Sequence, residues 1–304
     1  MRVFVTGATG FIGTAVVEDL LRAGHQVLGL ARSDAGAEAL IAAGAGVQRG
    51  DLEDLESLRS GAAQSDGVIH TAFNHDFSKF QANCEMDRIA IETLGDTLAG
   101  SGRPLVVTSG LLLLASGRAA TEEDVPPPVS AAYPRSSEAT GAAQVAKGVP
   151  VAVVRLPQVH DRRKMGLVSY AIAIAKAKGV SAYVGDGKNR WSAAHLLDVA
   201  PVYRLALERA AANGDAKVTG IARYHAVAEE GVSVREIAEA IGRGLKIPVK
   251  SISPEEAGEH FGFLGFFVGF DGLASSALTQ QWLGWRPTQV GLLTDLEHAR
   301  DFEA

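Results

Sequence analysis

The sequence predicts an α/β fold: a doubly wound, Rossmann-type parallel sheet with a smaller C-terminal substrate domain. Three observations support this prediction. Short runs of β-branched and aliphatic residues alternate with helical patterns through the first half of the chain. These runs are apolar almost throughout, as is typical of strands that are covered on both faces of a sheet. A glycine-rich segment separates the first run from the first helical pattern.

Six strands are predicted within the first 157 residues. Between the first two strands, Val16, Val17, Leu20 and Leu21 recur at helical spacing, and Gly24 supplies a stop for that helix. Alternating strands and helices of this kind build a doubly wound sheet. The predicted strands are "RVFVTG", "QVLGLA", "VQRGD", "DGVIHTA", "PLVVTSG" and "VPVAVVRLP".

The composition changes after Pro157, where the polar segment "DRRKMG" follows. Helical patterns then lie near residues 167–178 and 196–212, and a further one begins near Ser233. We therefore expect a dinucleotide-binding domain of residues 1–157 plus about 192–224. Residues of about 158–191 and 225–304 are expected to form the smaller substrate-binding part.

Composition excludes several classes of function. The net charge of −6 leaves no basic face for a nucleic-acid backbone. One cysteine, Cys84, rules out an internal disulfide and fits a reducing compartment, most simply as a buried inert thiol. No apolar run reaches the length of a membrane span, and the first residues run directly into a strand, so we expect a cytoplasmic protein without membrane association. The histidines show no metal-ligand spacing, and no metal is expected.

The segment "TGATGFIG" is the strongest functional signal. Gly7, Gly10 and Gly13 stand three apart, directly after a strand and directly before a helix. Glycines at these positions allow a tight turn, a close approach of backbone N–H groups to a pyrophosphate, and close packing of helix on strand. The amino end of the helix then faces the phosphates with its partial positive charge. This arrangement predicts a dinucleotide cofactor.

The end of the second strand indicates which dinucleotide is used. Arg32 and Ser33 stand where an acidic residue would hydrogen-bond the ribose 2′-hydroxyl of NAD. A guanidinium matches a 2′-phosphate, which an acid would repel. We therefore expect a preference for NADP(H). Asp34 is adjacent, so use of NAD(H) stays open.

These features resemble the extended and atypical short-chain dehydrogenase/reductase superfamily, which includes NAD-dependent epimerases and dehydratases, over nearly the whole chain. "GDL" at 50–52 is similar to the segment that contacts adenine, "HTA" at 70–72 to the turn beneath the adenine ribose, and "VVRLPQVH" to the segment along the nicotinamide. "GDGKNRWSAAHLLDVA" is similar to the stretch that enters the substrate domain. The cofactor-binding residues expected from the loop and the resemblance are Thr6, Gly7, Thr9, Gly10, Phe11, Ile12, Gly13, Arg32, Ser33, Asp51, Leu52, Thr71, Ala72, Thr108, Leu156 and Pro157.

The same resemblance implies a catalytic tyrosine with a lysine four residues later, and this pair is missing. Tyr133 is followed at that spacing by Ser137, and an ungapped alignment on "VVRLP" instead places Ser130 and Pro134 at the two positions. Because proline is tolerated in the first turn of a helix, we expect the helix to begin near Tyr133. The sequence therefore predicts an atypical member that lacks the Tyr–Lys pair.

Few residues can replace the pair. Ser109 stands where the resemblance implies a catalytic serine or threonine, and Tyr133 could still move a proton or simply be packed. Arg135 could supply the missing positive charge, and His160 could shuttle a proton near neutral pH. The expected catalytic set is Ser109, Tyr133 and His160.

Five phenylalanines in residues 261–270 allow two interpretations. They form ordinary core or a dimer interface, or they line a lid over an apolar or aromatic substrate. The sequence favours an NADPH-dependent oxidoreductase that reduces a C=O or C=N group of a small, fairly apolar molecule, acting as a monomer or homodimer. The alternatives are an inactive NADP(H)-binding sensor or scaffold, and a nucleotide-sugar epimerase or dehydratase.

Overall fold

The chain folds as two compact units in a computed structural model that describes residues 1–115, 117–131, 133–212 and 220–302. The first unit comprises Met1–Ser109, Pro127–Arg155 and Ala200–Tyr224, and the second comprises Gly110–Pro126, Leu156–Val199 and His225–Ala304. Segments 110–126 and 192–199, which the sequence places with the dinucleotide-binding domain, thus lie in the second unit. In the second unit, the backbone N–H of Ala120 donates a hydrogen bond to the carbonyl oxygen of Leu273 (2.9 Å). Residues 213–219 of the expected domain lie outside the described residues.

Strands and helices alternate through the first half of the chain. The strands are β1 Arg2–Thr6, β2 Gln26–Ala31, β3 Gly46–Arg49, β4 Gly67–His70, β5 Leu105–Gly110, β6 Val151–Leu156, β7 Gln158–His160, β8 Ser181–Val184, β9 Arg190–His195, β10 Ala222–His225, β11 Glu229–Ser233 and β12 Val249–Ile252. The helices are α1 Phe11–Arg22, α2 Asp34–Ala42, α3 Leu55–Ala63, α4 Phe80–Leu98, α5 Ser137–Val145, α6 Leu167–Lys178, α7 Leu196–Ala212, α8 Val234–Leu245, α9 Ala257–Phe261, α10 Gly265–Val268, α11 Ala277–Leu283 and α12 Leu292–Glu297. Short 3₁₀ turns lie at Phe77–Lys79, Gly262–Leu264 and Arg300–Phe302.

The central sheet has seven strands in the order β10-β6-β5-β4-β1-β2-β3. The pairs β1–β2, β1–β4, β2–β3 and β4–β5 are parallel. The strand order reverses between β1 and β4, and this change of direction is where open α/β sheets bind their ligands. All six predicted strands appear in this sheet as β1–β6, so the predicted Rossmann-type fold class is confirmed.

The core of the first unit explains why its strands are apolar throughout. Phe4, Val68 and Leu105 from neighbouring strands are fully buried, together with Ile91 and Leu94 of α4. Each such side chain contributes about 1.5–3 kcal/mol relative to an exposed position. This burial holds the carboxyl ends of β1, β4 and β5 in fixed places, and the candidate site residues are attached to these ends.

The second unit contains a three-stranded sheet, β11-β9-β7, and a two-stranded one, β12-β8. Ser233 caps α8, where its hydroxyl accepts a hydrogen bond from the backbone of Glu236 (3.2 Å). Asp198 lies in the first turn of α7. Its buried carboxylate accepts hydrogen bonds from the backbone N–H groups of Thr288 (2.9 Å) and Gln289 (3.0 Å).

The phenylalanine-rich segment is divided between core and surface. Phe261 is buried and Phe267 packs against the core of the second unit, whereas Phe263, Phe266 and Phe270 are 39%, 51% and 38% exposed. The core interpretation thus applies to part of the segment, and the lid and dimer interpretations stay predictions for the rest. Among the helices that the structure describes, none is long and apolar enough to cross a membrane.

Candidate active site

The glycine loop between β1 and α1 forms a cradle that only small residues allow. Gly7 has a φ of +67°, and a Cβ atom placed on it would lie 2.7 Å from the backbone nitrogen of Ala72. A Cβ on Gly13 would lie 1.9 Å from the carbonyl oxygen of Gly7. The backbone N–H of Gly10 donates to the same carbonyl (2.8 Å), which closes the turn. The loop therefore exposes backbone to a ligand at the start of α1 and fits a dinucleotide pyrophosphate.

Side chains on β1 and β4 anchor this loop from below. The Thr71 hydroxyl donates to the carbonyl oxygen of Thr6 (2.8 Å), and the Thr6 hydroxyl bonds Nδ1 of His70 (2.7 Å). Thr6 and His70 are both buried. Thr9 completes the loop, and Phe11, Ile12 and Gly13 form the first turn of α1. The expected residues of the cradle thus occupy one continuous place in the first unit.

The carboxyl end of β2 meets a second arginine that the spacing of the sequence gives no reason to expect. Arg49, at the end of β3, donates from Nη1 to the Ser33 carbonyl (2.6 Å) and from Nη2 to the Asp34 carboxylate. The exposed side chain of Arg32 lies at the same strand end. A Cβ on Gly36, in the first turn of α2, would lie 3.2 Å from the side chain of Thr9, which places this corner beside the glycine loop. Two arginines, Arg32 and Arg49, therefore lie at the adjacent ends of β2 and β3, where the sequence predicts a 2′-phosphate site.

The remaining expected cofactor residues lie at other ends of strands. Asp51 is exposed, and its carboxylate accepts the backbone N–H groups of Glu53 (2.9 Å) and Asp54 (3.0 Å), so it shapes the turn that carries Leu52. Leu156 ends β6 and Pro157 follows it, both in the second unit. Their contacts with a cofactor stay a prediction.

A buried carboxylate, Asp87 of α4, connects the cradle to the start of α5. Asp87 bonds Nε2 of His70 (3.1 Å) and accepts the Ser137 hydroxyl (2.5 Å). Arg135 donates from Nε to the same hydroxyl (3.1 Å). Burial raises the pKa of Asp87, but the bond and charge of His70, the charge of Arg135 and the Ser137 hydroxyl outweigh it, so the pKa is lowered. The Ser137 hydroxyl thus links a buried anion, Asp87, to the Arg135 guanidinium.

The end of β5 carries the two hydroxyl residues expected near the reacting group. Thr108 donates from Oγ1 to the His70 carbonyl (2.8 Å) and bonds the hydroxyl of Tyr203 (2.9 Å). Its own carbonyl accepts Nη2 of Arg135 at 3.5 Å. Ser109 follows directly and is buried. Thr108 is therefore held by the protein, while Ser109 follows it at the carboxyl end of β5, one residue beyond the carbonyl that Arg135 reaches.

Tyr133 lies outside α5, which corrects the expectation that the helix begins near it. The helix begins at Ser137, and the backbone N–H and carbonyl of Tyr133 close a turn with Ser130 (3.0 and 2.9 Å). Pro134 thus lies before the helix instead of in its first turn. Burial raises the pKa of Tyr133 and the charge of Arg135 only partly opposes this, so the phenol stays protonated. Burial also raises the pKa of Cys84 to about 11, as expected for an inert thiol.

His160 belongs to a buried group in the second unit. Its Nδ1 lies 2.8 Å from the Asp295 carboxylate, and Nε2 of His195 lies 3.5 Å from the same carboxylate. Nε2 of His160 is buried and has no hydrogen-bond partner among the described residues. Burial lowers the pKa of His160, and the contact with Asp295 only partly reverses this. His160 is therefore neutral at physiological pH and is held by Asp295 in one orientation.

This arrangement predicts an acid-sensitive second unit. Because the folded pKa of His160 lies below its unfolded value of about 6.5, the unfolded chain binds the proton more readily. The contribution of neutral His160 to the free energy of unfolding is fully present above the unfolded pKa. It is lost as the pH falls through the folded pKa, with a slope of up to about 1.4 kcal/mol per pH unit. Chemical denaturation between pH 7.5 and about 5 should show a shallower loss for His160→Gln than for the wild type. The exposed His298→Gln variant is the control, and equal slopes in all three proteins would contradict this role of His160.

Comparison with known proteins agrees with this architecture. The model of the NAD dependent epimerase/dehydratase family matches residues 3–222. An uncharacterized protein of Schizosaccharomyces pombe is 50% identical, covering 97% of this chain and 98% of its own. The structure of Pal from Bacillus thuringiensis is similar with a TM-score of 0.76 at 21% identity, covering 99% and 98% of the two chains.

The structure of the UDP-glucose 4-epimerase of Thermus thermophilus, a complex with NAD, is also similar. Its TM-score is 0.71 at 23% identity, and the match covers 99% of this chain and 98% of the epimerase. At these identities the two solved structures support the fold. The family model covers most of the chain, including the glycine loop and the segment that carries Arg135. The chain therefore belongs to the NAD-dependent epimerase/dehydratase family.

Proposed function

We propose that this protein is an NADPH-dependent oxidoreductase that reduces a C=O or C=N group of a small, fairly apolar substrate. The observation that carries the proposal is the position of Arg135. Its guanidinium bonds the Ser137 hydroxyl and reaches the carbonyl of Thr108, the residue before Ser109. A permanent positive charge thus lies at the carboxyl end of β5, where Ser109 follows Thr108, and it acts electrostatically on the phenol of Tyr133.

The preference for NADP(H) rests on the corner at the end of β2. Arg32 and Arg49 would hold a 2′-phosphate through charge-assisted hydrogen bonds, and the Ser33 hydroxyl caps the adjacent helix (3.2 Å to the Gly36 nitrogen). Asp34 would favour NAD(H), but its carboxylate is paired with Arg49. Neutralisation of Asp34 by Arg49 removes the repulsion that a phosphate would otherwise meet there.

The remaining steps of the proposed reduction are assigned to particular residues of the chain. The bound cofactor would supply the hydride. Ser109 would donate a hydrogen bond to the acceptor oxygen or nitrogen of the substrate. Tyr133 would deliver the proton: burial raises the pKa of its phenol, and the nearby charge of Arg135 opposes that rise and so favours release of the proton. Arg135 would stabilise the negative charge that develops on the acceptor atom. His160 stays a second candidate for the proton, since its buried Nε2 has no partner among the described residues.

The test combines binding with turnover. We expect NADPH to bind at least about tenfold more tightly than NADH, and Arg32→Ala and Arg49→Gln each to remove most of that difference. NADPH should then be consumed with one or more members of an aldehyde, ketone and cyclic-imine panel. Ser109→Ala and Tyr133→Phe should lower kcat by about 10²-fold or more without weakening NADPH binding. Arg59→Gln, an exposed arginine of α3, is the matched control for the arginine variants.

Other outcomes would select the alternatives. NADPH binding without any turnover would favour a sensor or scaffold that responds to the cofactor. Turnover of a nucleotide sugar without net consumption of cofactor would favour an epimerase. Equal binding of NADH and NADPH that neither arginine variant changes would contradict the proposed cofactor preference.

A further inference from the structure

Four aromatic side chains follow β4 within eight residues, "FNHDFSKF" at 73–80, and they contact one another at the protein surface. The ring centroids of Phe73 and Phe80 are 6.2 Å apart, those of Phe77 and Phe80 5.9 Å, and those of Phe73 and His75 5.3 Å. The phenylalanines are only partly buried and His75 is exposed. We call residues 73–80 the aromatic loop. Its rings keep part of their apolar surface exposed, and clustered exposed apolar surface is typical of a binding site.

The aromatic loop is held in place by hydrogen bonds. The buried side chain of Asn83, in the first turns of α4, donates to the carbonyl oxygen of Asp76 (2.8 Å). The Asp76 carboxylate in turn accepts the backbone N–H of Ser78 (3.1 Å). The loop begins directly after Ala72, whose backbone lies against Gly7 of the cofactor cradle. A rigid aromatic surface therefore starts one residue from the cradle.

Arg135 connects this surface to the candidate catalytic residues. Its guanidinium carbon lies 4.5 Å from the centroid of the Phe73 ring, a cation–π distance. Its hydrogen bonds are those to Ser137 and to the carbonyl of Thr108, and no carboxylate lies within ion-pair distance of it in the described part of the chain. The guanidinium has five N–H donors, so donors remain for a ligand. A guanidinium with unused N–H donors at the edge of an aromatic surface can bind a ligand that carries an anionic group on a planar apolar ring.

We propose that the aromatic loop and Arg135 form a subsite for a planar aromatic carboxylate. The aromatic ring of the ligand packs against Phe73 and Phe80, and its carboxylate pairs with Arg135 in a bidentate geometry. The proposal rests on the proposed function, because it names the substrate class of the same site. A nucleotide sugar fits this surface poorly, since sugar hydroxyls need many polar partners and the rings offer none.

A binding experiment tests the subsite without turnover. Titration calorimetry is run on the full chain with 2-naphthoate, with 2-naphthalenemethanol and with octanoate, in the presence and absence of NADP⁺. The first probe has both the planar ring and the anion, and each of the others lacks one of them. We expect 2-naphthoate to bind at least about tenfold more tightly than either of the other two probes.

Variants separate the contribution of the Arg135 charge from that of aromatic packing on Phe73. Arg135→Gln should weaken 2-naphthoate by about tenfold or more and leave 2-naphthalenemethanol within about twofold, because the alcohol has no anion to pair with the guanidinium. Phe73→Leu should weaken both naphthyl probes. Arg59→Gln and Ile41→Val, exposed residues elsewhere, are the controls and should change nothing. If Arg135→Gln does not fold, Arg135→Lys, which keeps the charge without the planar fork, and Phe73→Leu still decide the question.

Equal binding of 2-naphthoate and octanoate, or 2-naphthoate binding that neither Phe73→Leu nor the Arg135 variants weaken, would overturn the subsite. Because the titration is also run without NADP⁺ and needs no turnover, its failure is distinguishable from failure of the proposed function. If the protein binds 2-naphthoate as expected but consumes no NADPH, the subsite is supported and the proposed reductase function is contradicted. If it reduces apolar aldehydes but does not bind 2-naphthoate, the reductase function is supported and the subsite is contradicted.

Discussion

Replacement of Gly13 with alanine is expected to abolish dinucleotide binding. The added Cβ would lie 1.9 Å from the carbonyl oxygen of Gly7, a backbone atom that cannot move without opening the cradle. The first turn of α1 must therefore shift away from β1. Overpacking of this kind costs about 1–3 kcal/mol of folding free energy, and displacement of the loop should weaken NADPH by about 10²-fold or more. Fluorescence titration with NADPH and chemical denaturation measure the two effects.

The control is Gly269→Ala, at a glycine with a φ of −90° and no atom within 4 Å of the added Cβ. This variant should bind NADPH like the wild type and lose little stability. A Gly13→Ala protein that keeps its affinity for NADPH would show that the cradle does not hold the cofactor.

Replacement of Asp87 with asparagine is expected to have the second large effect. Asp87 is buried, and its carboxylate satisfies both His70 Nε2 and the Ser137 hydroxyl, which in turn bonds Arg135. An amide of the same shape loses the charge and one acceptor oxygen. We expect the free energy of unfolding to fall by about 2–3 kcal/mol, since charge-assisted hydrogen bonds are lost in the interior. Turnover should fall by about 10²-fold because Arg135 loses its anchor.

Glu85→Gln provides the matched control on the same helix, because Glu85 is exposed and pairs only with Arg88 among the described residues. It should leave both stability and turnover nearly unchanged. If Asp87→Asn lowers stability but not kcat, the buried network serves the fold alone and does not position Arg135. If neither quantity changes, the network has no energetic role.

Local sequence patterns predict the fold and the cofactor cradle because each depends on neighbouring residues. Apolar runs such as "PLVVTSG" can be buried on both faces only as central strands. The spacing of Gly7, Gly10 and Gly13 is a local requirement of the turn and of the packing of α1 on β1. The predicted start of α5 is wrong for an equally local reason. Pro134 is compatible with a first turn, but the turn that Ser130 and Tyr133 close comes before the helix.

Pairs of residues that are distant in sequence are not predictable in this way. Asp87 bonds His70 and Ser137 across 17 and 50 residues, and Arg49 bonds Ser33 across 16. Only the parallel sheet brings these residues together, because it places the ends of successive strands at one edge. The aromatic loop does carry a signal, since four rings within eight residues directly after a strand are unusual for a solvent-exposed turn.

The proposed function depends on hydride transfer from NADPH to the substrate, and isotope transfer measures this step directly. The protein is incubated with NADPH deuterated at C4 of the nicotinamide, on each face in turn, and with the acceptors that support NADPH consumption. We expect one deuterium to appear in the reduced product from one face only, and Tyr133→Phe to slow its appearance. Protein saturated with labelled NADPH that yields no deuterated product from aldehydes, ketones, cyclic imines or aromatic carboxylates bearing a carbonyl group would contradict the claim.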